Sequence, residues 1–365
     1  MPWRCSVKKE KKKTNVPWLQ LIVGAVLGVF FAEIIFSTTR SLEWFAVGFF
    51  SLILSFYLHI ILHEGGHLVA GLASGYKFVS FRIGSVLWIK IQGKIRRKRL
   101  SLPGTGGQCL LDPPAMDGGR FPAVLYNLGG GLANLIFAAV ACVIAFAIGT
   151  VAAKVILLPF ALVGIYLGIM NLLPMKMGGI ANDGYNIKIF RKDADSARAF
   201  WIQMKVNKLQ SDGGRLRDMP EEYFDLADSE EKGNPLIDGL KVFRFQRQID
   251  EKDFDGARET GQRLLEDTAL LGLYKNVLRL ELLYLELIGP CRMEEVESLY
   301  TEETKKYLKM AKGNPSSHRI RYAYAVRYAH DEADAAKAKK KFEKTLKDYP
   351  MLGEIQLERE LMEEI

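Results

Sequence analysis

The stretch Trp44–His67 reads WFAVGFFSLILSFYLHIILHEGGH, an apolar run that ends in two histidines and a glutamate. From Trp44 to Leu62 no Asp, Glu, Lys or Arg occurs, and His63-Glu64-Gly65-Gly66-His67 follows directly. About 20 apolar residues in helical form span the hydrocarbon core of a bilayer. The sequence therefore predicts a transmembrane helix that carries this five-residue motif at its inner end. His63 and His67 project from the same face of that helix, one turn apart.

This spacing indicates a metal site. Two imidazoles one turn apart can bind a single Zn²⁺, and Glu64 lies beside them, close enough to take a proton from water without binding the metal itself. Ionisable side chains at the end of an apolar helix are expensive in lipid, so a function is their default explanation. We predict that His63 and His67 are metal ligands and that Glu64 is the general base.

The residues around the motif are less specific. His59 lies one turn before His63, and we interpret it as an interior hydrogen-bonding histidine, because three in-line positions on a straight helix do not converge on one tetrahedral metal. Gly65 and Gly66 each cost about 1 kcal/mol of helix propensity relative to Ala. Close approach of another helix or strand would explain them, and so would tight packing without a catalytic purpose.

Three further apolar stretches predict three more spans. They are Pro17–Phe36, the uncharged region from Phe121 to Ala153, and the uncharged region from Val155 to Met175. Basic residues crowd the segment 1–16 and the loop Ala73–Arg120, whereas the other two connections contribute only Arg40 and Lys154. Because cytoplasmic loops carry the excess of Lys and Arg, we expect four helices with both termini in the cytoplasm of a cell-membrane protein.

Charge divides the chain of 365 residues into two parts. Residues 1–192 hold 21 basic and 7 acidic side chains, and residues 193–365 hold 29 and 35. We predict a basic cytoplasmic segment 1–16, a transmembrane domain 17–192 and a cytoplasmic helical domain 193–365. The basic residues flank apolar segments, which indicates contact with lipid rather than nucleic acid. The four cysteines have no paired spacing, so they predict neither a disulfide framework nor a cysteine metal site.

The soluble parts have two different patterns. In the loop after the second helix, Tyr76–Ile83, Val86–Ile91 and Lys98–Leu102 are β-rich and separated by glycines, which predicts a small hairpin or sheet. Beyond Lys192, apolar residues recur at helical spacing and helical hairpins recur every 35–40 residues or so. This period predicts an all-α domain, either of tetratricopeptide-like repeats or a plain helical bundle. Its surface is expected to bind a cytoplasmic partner protein.

A catalytic zinc requires a third protein ligand and an open position for water. In the expected topology the fourth helix returns to the cytoplasmic side, where Asn182-Asp183-Gly184 follows it. We favour Asp183, since a helix end and turn-forming glycines can fold it back inward. Asp117, before the third helix, is the main alternative, and Asp112 is a weaker one.

The motifs together resemble the site-2 protease family of intramembrane zinc metalloproteases, across about residues 44–190. The resemblance lies in His63–His67, the strand-like segment Gly75–Gly84, Gly130-Gly131-Leu132-Ala133-Asn134, and Asn171-Leu172-Leu173-Pro174 with Asp183-Gly184. It implies that Asp183 is the third ligand and that Asn134 holds the substrate backbone. Two features depart from the family pattern. The span from Pro174 to Asp183 is longer than usual, and Gly131 stands where a proline is common.

The expected activity is that of a zinc metalloendopeptidase cutting membrane-spanning or membrane-associated proteins. The strands near Lys77–Ile83 are expected to hold the unwound substrate by adding it to their edge. One alternative is a zinc-containing membrane adaptor without peptidase activity, whose C-terminal helices bind a partner; the presence of Glu64 argues against it. The other alternative is a transporter with a metal site, which the absence of recognisable inverted repeats disfavours.

Overall fold

A computed structural model describes residues 18–100, 105–177, 180–225 and 233–365. The basic segment 1–16, the expected helix start at Pro17 and the end of the expected strand Lys98–Leu102 lie outside the described residues. The chain forms two units. One comprises Met1–Phe56 with Phe137–Tyr166, and the other comprises Tyr57–Ile136 with Leu167–Ile365.

Four long apolar helices are present among the described residues: α1 (Trp18–Thr38), α2 (Leu42–Ala73), α3 (Ala123–Ile148) and α4 (Val151–Leu172). The last three are long and apolar enough to cross a membrane. Many of their large apolar side chains are exposed, among them Phe50 at 69 %. Helices that are apolar on every side and yet exposed suit a lipid surrounding. The prediction of a mostly helical chain is confirmed, and the three helices of spanning length are compatible with a membrane protein.

Small side chains allow these helices to pack closely in the first unit. Ala138, Ala141 and Ala161 are buried together, and a Cβ at Gly48 would lie 2.5 Å from Cδ1 of Ile35. The hydroxyl of Ser51 donates to the carbonyl of Ile156 at 2.7 Å. Helices in a membrane associate through such close packing and hydrogen bonds, since lipid gives them no hydrophobic drive.

The loop between α2 and α3 forms a four-stranded antiparallel sheet in the order β3-β2-β1-β4. Its strands are β1 (Lys77–Ile83), β2 (Val86–Ile91), β3 (Lys94–Arg99) and β4 (Gly107–Asp112). The expected sheet is confirmed, but the third strand begins at Lys94 rather than Lys98, and β4 was not predicted. Strand β1 is paired on both sides, with β2 and with β4, and the expected addition of a substrate strand to the edge of this sheet stays a prediction.

A short hairpin connects α4 to the next helix. Its strands are β5 (Lys176–Met177) and β6 (Ile180–Ala181), and it leads directly into α5 (Asp183–Phe190). The backbone N–H of Asn182 donates to the carbonyl of Met175 at 3.1 Å, which closes the hairpin at its base. The residues that lengthen the span from Pro174 to Asp183 are therefore absorbed in a turn that returns to the end of α4.

The rest of the described chain is helical, which confirms the all-α C-terminal region. The helices are α6 (Ala194–Asp212), α7 (Pro235–Asp250), α8 (Phe254–Glu266), α9 (Gly272–Ile288), α10 (Met293–Leu299), α11 (Glu302–Met310), α12 (Pro315–Tyr324), α13 (Glu332–Asp348) and α14 (Leu352–Glu363). Helices α6 to α10 pack in succession, α11 and α12 pack against α9, and α14 packs against α6 and α12, around a core that includes Phe245, Leu278 and Tyr284. A π-helical turn at Ala325–Ala329 follows α12.

Side chains of this helical region contact the sheet within the second unit. Lys205 of α6 pairs with Asp112 of β4 at 2.5 Å, and the indole N–H of Trp201 donates to the carbonyl of Pro114 at 2.8 Å. At the other edge, the ammonium group of Lys98 donates to the carbonyl of Tyr349 at 2.9 Å. The sheet thus lies between the C-terminal end of α2 and the C-terminal helices.

Candidate functional site

The side chains of His63, His67 and Asp183 converge on one point. Nε2 of His67 lies 3.1 Å from Nε2 of His63 and 3.2 Å from Oδ2 of Asp183, and Nε2 of His63 lies 3.5 Å from the same oxygen. Tetrahedral zinc with bonds of about 2.0–2.1 Å keeps its ligand atoms about 3.3 Å apart. Among the described residues, no other group of His, Cys, Asp and Glu side chains clusters in this way.

The hydrogen bonds around the cluster favour a metal. Nδ1 of His67 donates to the carbonyl of Tyr126 at 2.8 Å, which leaves a lone pair on Nε2. Oδ2 of Asp183 is buried and accepts no hydrogen bond. Lone pairs that face one another in a buried position repel unless a cation lies between them. The donor set of two imidazoles and one carboxylate therefore fits Zn²⁺.

Glu64 is held beside the cluster by the main chain of β4. The backbone N–H of Cys109 donates to the Glu64 carboxylate, and the carbonyl of Cys109 accepts from the hydroxyl of Tyr126 at 2.8 Å. A Cβ at Gly107 would lie 2.7 Å from Oε1 of Glu64, so only glycine allows the strand to pass this closely. Glu64 is adjacent to the three ligand atoms without belonging to their cluster, as a general base requires.

Cys109 lines this cleft and carries a thiol that could in principle bind a metal. Burial, together with the nearby Glu64 carboxylate, raises the pKa of the Cys109 thiol. Because the thiolate is the form that binds metals, Cys109 stays a buried, protonated side chain. It contributes its backbone to the site and not its sulfur.

Local turn chemistry returns Asp183 to the end of α4. Oδ1 of Asn182 caps α5 by accepting from the N–H of Tyr185 at 2.9 Å, and it also accepts from the N–H of Met175 at 3.0 Å. Its amide nitrogen donates to the carbonyl of Leu173 at 2.6 Å. A Cβ at Gly184 would overlap the main chain at the end of α4. Asn182 and Gly184 thus fix where Asp183 points, a role that the sequence analysis did not assign to them.

The two glycines of the helical motif differ in their surroundings. A Cβ at Gly66 would overlap the carbonyl oxygen of Gly129 in α3, whereas a Cβ at Gly65 would meet nothing within 4 Å. A Cβ at Gly130 would lie 2.5 Å from Nε2 of His67. The close approach of another helix therefore explains Gly66 but not Gly65. Gly130 keeps the space around the histidines open. In the sequence, the run of three glycines at 129–131 could have indicated this role.

Two asparagines contact the ring of His63, and His59 contacts one of them. Nδ1 of His59 lies 3.1 Å from Oδ1 of Asn134, and Nδ2 of Asn134 lies 3.3 Å from Nδ1 of His63. Nδ2 of Asn171 lies 2.8 Å from Nε2 of His63. His59 is fully buried and hydrogen-bonded, as expected of an interior histidine. Asn171 belonged to a recognised motif, yet it received no predicted role.

The two alternative carboxylates lie elsewhere. The backbone of Asp117 pairs with Arg120 in a turn that contains two glycines with positive φ. Asp112 forms an ion pair with Lys205 of α6. Neither joins the cluster of histidines among the described residues. The geometry thus favours Asp183 as the third ligand.

The cluster opens into a cleft. One wall is β4, another is the end of α4 with the start of α5, and α6 contributes Phe200, Gln203, Met204 and Asn207. Amide side chains are frequent in its lining, together with the rings of Tyr126 and Phe200 and the apolar residues Leu110, Ala181 and Met204.

No protein-family model matches the chain, and no curated protein or solved structure is found to match it. The function is therefore argued from the chemistry of these residues.

Proposed function

We propose that this protein is a zinc metalloendopeptidase that cuts its substrates within or next to the membrane. The observation that carries the proposal is the convergence of His63, His67 and Asp183, with Glu64 alongside, at the end of an apolar helix. Three protein ligands and an open cleft are typical of catalytic rather than structural zinc. A zinc-containing adaptor would need neither the general base nor the opening.

The proposal also includes a fourth span and an orientation of the chain in the membrane. Helix α1 is 21 residues long and supplies a fourth span. The excess of basic residues in the N-terminal segment and in the loop between α2 and α3 favours both termini in the cytoplasm. His63 and His67 then lie at the cytoplasmic end of α2, in a cell-membrane protein.

Zinc held by His63, His67 and Asp183 would polarise the scissile carbonyl and make a nucleophile of water near neutral pH. The Glu64 carboxylate accepts the proton of the attacking water as the new C–O bond forms. It then donates that proton to the leaving amine nitrogen as the C–N bond breaks. The backbone N–H of Cys109 orients this carboxylate for both transfers.

A membrane-spanning substrate must unwind before it is cut, since a helix hides its carbonyls in its own hydrogen bonds. The cleft offers amide side chains to the opened segment, including Gln108, Gln203 and Asn207. The substrate-binding role expected of Asn134 remains a prediction. Both ends of its amide already face histidines.

The C-terminal helices complete the proposal. The successive packing of α6 to α10 suits a tetratricopeptide-like array, and the contact of α14 with α6 suits the alternative, a plain bundle. Because α6 lines the cleft, this region is well placed to present a protein substrate or a regulatory partner to the site. Nucleic acid is not an expected partner.

The proposal is tested with purified full-length protein and a single-span substrate. Wild type is expected to bind one zinc per chain and to cleave, and a chelator is expected to stop cleavage until zinc is restored. Glu64→Gln should keep its zinc and lose cleavage by roughly 10²-fold to 10⁴-fold. Continued cleavage by this variant would refute the mechanism, and active protein without zinc would refute the metal assignment.

A further inference from the structure

His63 faces more hydrogen-bond donors than a neutral imidazole can accept from. Nδ2 of Asn171 lies 2.8 Å from Nε2 of the ring, and Nδ2 of Asn134 lies 3.3 Å from Nδ1. A neutral imidazole has one N–H and one lone pair, so it accepts at one nitrogen only. One of the two amides must therefore turn its oxygen toward the ring.

The backbone decides which amide this is. Oδ1 of Asn171 accepts from the N–H of Asp183 at 3.4 Å, which directs the amide nitrogen of Asn171 to Nε2 of His63. Nε2 then carries the lone pair, and Nδ1 carries the proton. This is the tautomer that a zinc ligand needs at Nε2, where zinc would take the lone pair that the amide of Asn171 faces in this structure.

Asn134 must accept the remaining proton. Turning its amide by 180° exchanges oxygen and nitrogen in nearly the same positions, so the contacts of the side chain are kept. The oxygen then accepts from Nδ1 of His63, and the amide nitrogen donates to Nδ1 of His59. Asn134 is 1 % exposed and His59 is fully buried, so solvent water has little access to either side chain.

We propose that Asn134, supported by His59, is a positioning residue that holds His63 in its zinc-binding tautomer. This inference rests on the proposed zinc site. Ligating histidines nearly always donate their second N–H to a fixed acceptor, and loss of that acceptor typically lowers metal affinity by roughly 10-fold to 100-fold. His67 uses a main-chain carbonyl for this purpose. His63 depends on a side chain, which makes its tautomer sensitive to mutation.

The experiment measures the zinc affinity of the purified full-length protein by competition with a chelator. Asn134→Ala should bind zinc roughly 10-fold to 100-fold more weakly than wild type. Asn134→Asp keeps an acceptor for His63 and should restore the affinity to within a few fold of wild type. His59→Phe keeps a ring but removes the partner of Asn134, so a smaller loss is expected, roughly 3-fold to 10-fold.

Asn127→Ala is the matched control. Asn127 is also a buried asparagine of α3, and its amide nitrogen bonds the carbonyl of Ala123 rather than a histidine. Its removal should leave zinc affinity unchanged. Thermal unfolding of each variant shows whether it is folded.

The outcomes distinguish failure of the positioning role of Asn134 from failure of the proposed zinc site. Wild-type zinc affinity in Asn134→Ala would overturn the positioning role. If KM alone then rose, Asn134 would be the substrate-binding residue expected from the sequence. If Asn134→Ala fails to fold, Asn134→Asp decides, and a large loss of affinity in that folded variant contradicts the proposal. A wild-type protein that binds no zinc would refute the proposed function itself.

Discussion

Gly66 of α2 and Gly129 of α3 bring the two main chains into contact within the motif that carries His63 and His67. A Cβ on either glycine would overlap the carbonyl oxygen of the other. His63 and His67, which would bind the metal, lie on α2 within one turn of this contact. The two glycines thus let α3 deliver Tyr126, Gly130 and Asn134 to the histidines.

Gly66→Ala should separate the two helices and weaken the zinc site. Overpacking of this kind typically costs about 1–3 kcal/mol in free energy of unfolding. Gly65→Ala is the control on the same helix, because its Cβ would meet nothing within 4 Å. It should be neutral or add up to about 1 kcal/mol of stability. Thermal unfolding in detergent and zinc content measure both effects; equal behaviour of the two variants would contradict the helix contact.

Asp183→Asn and Asp117→Asn distinguish the candidate third ligands. Asp183→Asn replaces a charged ligand oxygen by a neutral one and should lower zinc affinity by about 100-fold or more, with loss of cleavage. Asp117→Asn changes a turn residue and should leave both quantities near wild type. Loss of zinc in the second variant alone would show that the third ligand is misassigned.

Arg319 is a buried cation held between two carboxylates of the C-terminal helices. It donates to Glu358 at 2.9 Å and to Glu281 at 2.8 Å. Arg319→Met should destabilise the C-terminal region by about 3–5 kcal/mol, because two buried carboxylates lose their partner. Lys305→Met breaks an exposed pair with Glu302 and a contact with the Tyr300 ring, and it should cost about 1 kcal/mol or less. Hydrogen exchange of the full chain compares the two, and similar protection in both variants would contradict this prediction.

Glu354 should make the stability of the C-terminal helices depend on pH. Burial, with Glu358 and Glu281 nearby, raises the pKa of Glu354 to about 7, although the Tyr349 hydroxyl donates to its carboxyl at 2.6 Å. The fold therefore prefers the protonated form. The stabilisation is fully present below pH ~4.5, falls between ~4.5 and 7, and is lost above 7.

Glu354→Gln should remove this pH dependence. Relative to the variant, wild type is expected to lose at most about 3 kcal/mol of stability between pH 4.5 and 8. Exposed Glu363 on the same helix provides a control, and Glu363→Gln should retain the wild-type pH profile. Hydrogen-exchange protection of α14 in the full chain at pH 5 and pH 8 measures the effect. A wild-type profile that does not change with pH would contradict the prediction.

Features set by local chemistry were predicted well. The apolar helices follow from length and composition, and the placement of His63 and His67 on one face follows from helical periodicity. Gly84 and Gly93, both with positive φ, marked two real turns of the sheet. The missed strand β4 has no clear alternation of apolar and polar residues, and its pairing with β1 shifts register between Phe78 and Ser80.

The sequence by itself determined the helix that carries the histidines and the position of Glu64 beside them, because those depend on residues within two turns of one another. Only the tertiary structure decided that Asp183 faces the histidines and that Asn134 and Asn171 bind opposite sides of His63. Each of those contacts joins segments distant in the chain. They depend on a hairpin, a helix cap and the absence of side chains at Gly66, Gly129 and Gly184, which no local periodicity encodes.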